Sequence, residues 1–416
     1  MKWLRKLAGL VQEGSLYVLL FLLPFSKASV AVSFAFLFFA WLFQRLDPKT
    51  RTQTLWLQPS LRPLAWAIAA YFGACVLSVI VSGHVWLSIY GLIGKWLKHL
   101  LFLVIVADVA CRPRVVKRSL KVLSCSTALV LLEALTQERY GTGFFLKFRL
   151  DYFGRMTGPY ENPIDLATYL MVVIPILFAF TLVRHKPARW QLWGLLILLA
   201  ACFIRTRAAG AWLGLAGGLL LFLALNTPLR RAGLLVLVAL TLASGFALHR
   251  GGRLGQKAFL SDIGTVDRWH MWQAAIGMIR DRPILGHGVN TFMANYLTYW
   301  VGGQKLPRYA HNCYLQVAAE AGLVGLLTFL RLLWLWFGRL MVGLRHLPPS
   351  QDQTLLIGFI VGLFAFLLHS GLDTNFYSLR QAALFWVLAG LTLGLSSKGS
   401  SETSATSPLS RQRLVA

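Results

Sequence analysis

The chain has 416 residues, 57% of them hydrophobic and only 13% charged, where a soluble domain carries roughly 25% charged residues. Its formal charge of +26 is spread in short clusters between apolar runs. That excludes a nucleic-acid partner, which would need a basic domain set apart, and fits anionic lipid headgroups.

In chain order, Lys2, Arg5 and Lys6 precede an apolar stretch that resembles a signal peptide but lacks a small-residue cleavage site; it is expected to be an uncleaved first span. A spanning helix needs about 20 mostly apolar residues. The expected spans are roughly 8–24, 28–44, 63–82, 90–110, 116–136, 164–184, 190–204, 209–226, 231–249, 313–337, 354–371 and 380–396, twelve in all. With that count every main basic cluster falls in alternate connections: Lys2/Arg5/Lys6, Arg45/Lys49/Arg51/Arg62, Arg112/Arg114/Lys117/Arg118/Lys121, Arg184/Lys186/Arg189, Arg230/Arg231, Arg339/Arg345 and Lys398/Arg411/Arg413. Loops rich in Lys and Arg stay inside, so both termini are expected in the cytoplasm. Residues 1–395 then form one membrane domain, and 396–416 a Ser/Thr-rich, disordered cytoplasmic tail. No internal repeat is visible.

The opposite-side connections include 137–163, the short turn 205–208 and the long segment 250–312. That last segment is basic yet external, where loops are normally poor in Lys and Arg, so an anionic substrate is expected. Within it Asp267 to Arg280 reads as a helix, with Trp269, Trp272, Ile276 and Ile279 on one apolar face suited to the membrane interface. Asn290 to Trp300 reads as a second short helix. Gly286-His287-Gly288 follows no strand and is read as a turn rather than a phosphate loop.

Further cations lie at external span ends: Lys95 and Lys98 on the fourth span, Arg205 and Arg207 in the short turn, Arg139, Lys147, Arg149 and Arg155 in the 137–163 loop, and Arg268 at the start of the interfacial helix. Each could snorkel to headgroups. Arg207 and Arg268 are favoured for function, because the guanidinium fork matches phosphate oxygens. Four external histidines are visible, His249, His270, His287 and His311. His311 stands where the chain re-enters the membrane and could take a proton from a sugar hydroxyl. Asp373, with His369 nearby, could orient such a base or bind sugar hydroxyls, or be a solvated loop acid. Glu320 reads as a buried structural group. Glu138, Asp151, Glu161, Asp165 and Asp373 show no metal-ligand spacing, and the five cysteines form no CxxC pair, so neither a zinc site nor a disulfide framework is expected.

These residues resemble the O-antigen ligase and polymerase family. The resemblance runs over most of the chain and is carried by Thr206-Arg207-Ala208-Ala209-Gly210-Ala211-Trp212-Leu213-Gly214, Asp267-Arg268-Trp269-His270-Met271-Trp272, Asp281-Arg282-Pro283-Ile284-Leu285-Gly286-His287-Gly288, His311-Asn312-Cys313-Tyr314-Leu315 with Glu320-Ala321-Gly322-Leu323-Val324-Gly325, and Gly158-Pro159-Tyr160-Glu161-Asn162-Pro163. One departure stands out. The family often places Arg three residues before the Trp of the first motif, where this chain has Ala209; Arg207 lies two residues earlier, and Arg205 competes for the role.

The resemblance implies an all-α polytopic membrane protein, GT-C-like, with about twelve transmembrane helices and a long periplasmic helical segment between spans nine and ten, in the bacterial inner membrane. It implies metal-independent, cofactor-free, inverting glycosyl transfer from an undecaprenyl diphosphate-linked glycan to lipid A–core oligosaccharide, with membrane lipids as the surrounding partner. His311 would be the general base. Arg207 and Arg268 would stabilise the diphosphate, supported by Arg205, Lys95, Lys98, Arg155 and Asp373. O-antigen polymerisation and protein glycosylation are alternatives within this chemistry, and transport of an anionic lipid is one outside it. The basic segment becomes a site only if it folds over the Arg205–Arg207 turn.

Overall fold

A computed structural model describes residues 2–112, 114–225, 265–303 and 305–405, with side chains excepted at 265, 266 and 398–405. Among the described residues the chain is helical, with no strand beyond an isolated bridge between Thr142 and Arg149. The helices are α1 (Lys2–Leu22), α2 (Lys27–Leu46), α3 (Arg62–Ile80), α4 (Val85–Gly91), α5 (Lys98–Ala110), α6 (Val115–Tyr140), α7 (Pro163–Leu182), α8 (Ala188–Thr206), α9 (Ala209–Ala224), α10 (Thr265–Asp281), α11 (Phe292–Tyr296), α12 (Cys313–His346), α13 (Gln351–His369) and α14 (Leu379–Ala405). A π-helical turn, Leu92–Leu97, joins α4 to α5.

Nine helices among the described residues are long and apolar enough to cross a membrane. They are α2, α3, the continuous Val85–Ala110, α6, α7, α8, α12, α13 and α14. The protein is an all-α polytopic membrane protein. Of the other expected spans, α1 carries Lys2, Arg5, Lys6 and Glu13, α9 has 16 residues, and 231–249 lies outside the described residues, as do Arg230, Arg231, His249, Arg250, Arg253, Lys257 and Asp262. The final helix continues past residue 396 to Ala405; residues 406–416 lie outside the described part.

Lipid is as apolar as leucine, so helices in a membrane associate by close packing of small residues. The bundle follows that rule. Added Cβ atoms would come within 2.9 Å of Ala365 O at Gly214 and 2.8 Å of Val361 O at Gly218, where α9 lies on α13. Gly358 and Gly362 bring α13 equally close to α7, and Gly390 and Gly394 seat α14 on α5. Helix α14 is thereby enclosed, with Ala382 through Ala389 essentially inaccessible.

Polar groups gather at the two ends of the bundle. At one end Asp108 accepts from Trp41 Nε1 (2.9 Å), Thr54 Oγ1 (2.7 Å) and Leu55 N (2.9 Å) and pairs with Arg45 at 3.3 Å. Nearby, Arg112 bonds Gly9 O at 3.1 Å and pairs with Glu13 at 3.5 Å. At the other end buried Arg380 donates to Pro24 O (2.7 Å) and Pro159 O (2.9 Å) and stacks on Tyr160. The candidate site residues belong to this second end.

Helix α12 is broken near its start. Gly322 has φ 68° and ψ −175°, and the strap Pro283–Gly288 lies in the break. His287 N donates to Ala319 O (3.1 Å), Gly288 N to Glu320 O (2.8 Å) and Leu323 N to Pro283 O (2.8 Å). The glycine-rich motif is thus spent on satisfying a helix interruption, and His287 Nε2 on the Met278 carbonyl at 3.1 Å. Burial holds the His287 imidazole below its usual range, so it stays neutral there. A Cβ on Gly322 would lie 2.1 Å from Ile284 O. Gly322→Ala is expected to destabilise by at least about 1–3 kcal/mol for the backbone alone, read as a lower thermal midpoint in detergent. Gly338→Ala in the same helix, with nothing within 4 Å, should leave that midpoint unchanged.

Candidate active site

The face of α10 that packs on the protein lies beside the tryptophan face expected to meet the membrane interface. Met271, Ala274, Ala275 and Met278 are buried with Phe292, Tyr296, Ala310 and Ala319, whereas Trp269 is 54% exposed. Ala274 and Ala275 allow close approach to α12 beside the flanking methionines. This seating carries Arg268 at the start of α10 toward the bundle end, within electrostatic reach of His369 at the end of α13.

Cys313 opens α12, capped by Asn312, whose side chain accepts from Tyr314 N and Leu315 N at 3.0 Å each. Immediately before the cap His311 takes φ 45°, a left-handed backbone uncommon outside glycine. The turn after α13 is tied to the same place. Cys313 N donates to Ser370 O (2.8 Å), Cys313 Sγ to Asp373 O (3.1 Å), and Thr374 N to Asp373 Oδ1 (2.8 Å). The result is a contact of 2.9 Å between His311 Nδ1 and Asp373 Oδ1.

The electrostatics of this pair are one-sided. Burial raises the Asp373 carboxyl, but the hydrogen bond and charge of His311, the charge of His369 and the Thr374 amide outweigh it, so that it is held down to about 2. A carboxylate charged at every ordinary pH can only accept, so Nδ1 carries the proton. The lone pair is then on Nε2, which has no protein partner among the described residues, on a side chain 33% exposed. This arrangement suits a base that receives a proton from outside.

His369, 2% exposed, accepts on Nδ1 from Asn375 Nδ2 at 3.0 Å. A Cβ at Gly210 would lie 3.1 Å from its Nε2. The start of α9 therefore packs directly on His369, three residues after Arg207. Arg207 caps α8 with φ 52° and makes no ion pair among the described residues. So the structure gathers His311, Asp373, His369 and Arg268 near the start of α9, three residues after Arg207. Asp165, at the start of α7, lies within electrostatic reach of Asp373.

The remaining candidate cations have protein partners or lie beside them. Arg205 pairs with Glu138, and Arg155 with Asp151 at 2.6 Å. Lys95, in the π-helical turn, donates to Asn290 Oδ1 at 2.6 Å and lies over the rings of Tyr309 and Tyr377. Lys98 is half-buried one turn further along. Glu320 is a fastener: its carboxylate accepts from Asn290 N (2.6 Å), Phe292 N (3.2 Å) and Tyr377 OH (3.0 Å). Among the described residues no three His, Cys, Asp or Glu side chains converge as a metal site. Sequence reasoning missed Arg380; a lone Arg at the start of an apolar run was the available signal.

Asp373→Asn should keep the turn but lose the charge that fixes the His311 tautomer. Its rate is expected to fall by much of the about 10²–10⁴ that a positioned base supplies, measured as glycan transfer by the purified protein.

A curated relative, the exopolysaccharide production protein ExoQ of Rhizobium meliloti (strain 1021), is 26% identical over 297 residues, covering 65% of this chain and 64% of that protein. The matched stretch thus falls short of two thirds of the relative's length. Residues 193–330 match the family described as O-antigen ligase; this stretch holds Arg205, Arg207, Arg268 and His311 and ends before Asp373. On these matches, the chain is similar to the O-antigen ligase family over residues 193–330 and to a protein of exopolysaccharide production over a longer stretch.

Proposed function

We propose that the protein is an O-antigen ligase, transferring a glycan from undecaprenyl diphosphate to a sugar hydroxyl of lipid A–core on the periplasmic face of the inner membrane. The observation that carries the reading is the His311–Asp373 pair, which leaves Nε2 without a partner among the described residues, at the bundle end where Arg268 comes within electrostatic reach of His369. The acceptor oxygen attacks the anomeric carbon from the face opposite the diphosphate, inverting it. His311 Nε2 takes the hydroxyl proton as the new bond forms. The bond between the anomeric carbon and the diphosphate oxygen breaks, and undecaprenyl diphosphate leaves with the electron pair. Arg207 and Arg268 face the charge that grows on it; fixed cations in a water-poor site stabilise such charge without reorganising.

A second reading, polymerisation onto another carrier-linked glycan, is favoured by one observation: the relative named above is a protein of exopolysaccharide production. Transport of an anionic lipid fits less well, since transport sites lie near the bilayer midplane and these groups lie at helix ends. Purified protein in EDTA with undecaprenyl diphosphate-glycan and lipid A–core decides among them. Glycan on lipid A is expected. A longer glycan still on the carrier would mean polymerase, and lipid movement without product would mean transporter.

A further inference from the structure

The connection after α6 does not rise away from the bundle. The apolar run of α6 ends near residue 136, three residues beyond Glu133. Glu133 lies seven residues before Tyr140, or about 10 Å back along the helix. Yet fully buried Glu133 accepts from Phe145 N (2.8 Å) and Leu146 N (2.9 Å). One turn above, buried Gln137 donates to Phe148 O (3.1 Å) and accepts from Thr157 N (2.9 Å) and Gly158 N (3.1 Å). Gly143 N closes the hairpin on Phe148 O at 2.8 Å. Residues 142–149 therefore fold back down the flank of α6.

Irregular backbone at membrane depth needs partners from protein, because hydrocarbon supplies none; in water these amides would need no buried carboxylate. The hairpin tip is apolar and open, with Phe144 57% and Phe145 52% exposed. At the same level the opposite face of α6 exposes Leu132 and Leu135, as a lipid-facing surface does. Arg139, Lys147 and Arg149 surround the same hairpin and make no ion pair among the described residues; Arg139 and Lys147 lie over the Tyr140 and Phe144 rings. Arg149 is held beside Thr142 by the isolated bridge.

We propose that residues 142–149 are a re-entrant hairpin that inserts Phe144 and Phe145 into the outer leaflet and holds the phosphate of an anionic phospholipid between Arg139, Lys147 and Arg149. Apolar rings below and cations above match the order of acyl chain and headgroup. The chain leads from the hairpin to Met156, whose N–H meets Arg205 O at 3.5 Å, so the lipid would steady one wall of the candidate site.

The test places a nitroxide on a cysteine at Phe144, Phe145, Leu132 or Thr52 in turn, in the full chain with Cys111 and Cys125 replaced by Ser. The protein is reconstituted in phosphatidylcholine/phosphatidylglycerol vesicles. Leu132 is the lipid control, and exposed Thr52, between α2 and α3, the water control. Collision with oxygen relative to a water-soluble nickel chelate should be several-fold higher at 144 and 145 than at 52, approaching the value at 132. A ratio equal to that at 52 overturns the insertion. Nickel exclusion that appears only when lipid A–core is added would mean that a glycan covers the hairpin, and overturns it too. In native mass spectrometry from an equimolar mixture of the two lipids, the wild type should retain phosphatidylglycerol in preference. The triple variant Arg139→Ala/Lys147→Ala/Arg149→Ala should lose that preference; an unchanged preference overturns the headgroup site.

Discussion

Replacing His311 with asparagine is expected to lower glycan transfer by about 10²–10⁴, the usual contribution of a positioned general base. Asparagine is the informative substitution because His311 sits at φ 45°. Asn tolerates the left-handed region better than most residues, so the variant removes the imidazole without straining the turn. His311→Ala should lose a similar factor in rate and, in addition, some thermal stability, since a left-handed backbone costs about 1–3 kcal/mol in an unsuited residue. The neighbouring bonds that fasten this corner, from Cys313 N to Ser370 O and from Asn312 to the first turn of α12, do not involve the ring and should survive. Transfer within a few-fold of the parent by a folded, inserted His311→Asn protein would remove His311 from the mechanism.

Arg268→Ala is expected to cost about 10²–10³ in rate at saturating donor, the magnitude seen when one preorganised group facing a developing charge is removed. A diphosphate is already charged before reaction, so weaker donor binding should accompany the loss. The part that persists at saturation reports the charge added in the transition state. Arg268→Lys should recover only part of the rate, since an ammonium lacks the planar fork. Arg205→Ala is the internal comparison. Its guanidinium is already neutralised by Glu138, so its loss should matter less than that of Arg207 or Arg268. If Arg205→Ala proved the more damaging and Arg268→Ala near neutral, the proposed diphosphate cradle would be wrong.

Much of this site was legible because its residues break a rule visible in sequence. Arg207 and Arg268 stand outside the expected positive-inside pattern, and His311 lies where the expected tenth span begins. Other elements were not legible. The second apolar face of α10, Met271/Ala274/Ala275/Met278, which packs on the protein, was not foreseen beside the tryptophan face, because periodicity does not say which of two apolar faces meets a partner. Glu133 and Gln137 read as polar residues in an apolar helix, and nothing local shows that they bond backbone amides up to twenty-one residues away in sequence, as Gln137 does with Gly158.

What the amino-acid sequence determined by itself was class, and the broad disposition of charge: composition and the spacing of apolar runs force helices into a membrane, since no other open structure satisfies its backbone there. Tertiary structure decided which of the many cations at this end of the bundle meet. Arg205 and Arg155 were drawn to neighbouring carboxylates and Lys95 to Asn290. Arg268 was instead carried toward His369, which packs on Gly210 beside Arg207. It also paired His311 with Asp373, sixty-two residues apart, through a broken helix and a strap whose fit depends on Gly322 and Gly286. Pairings of that kind depend on the direction of side chains across separate helices, and periodicity along one chain carries no record of that direction.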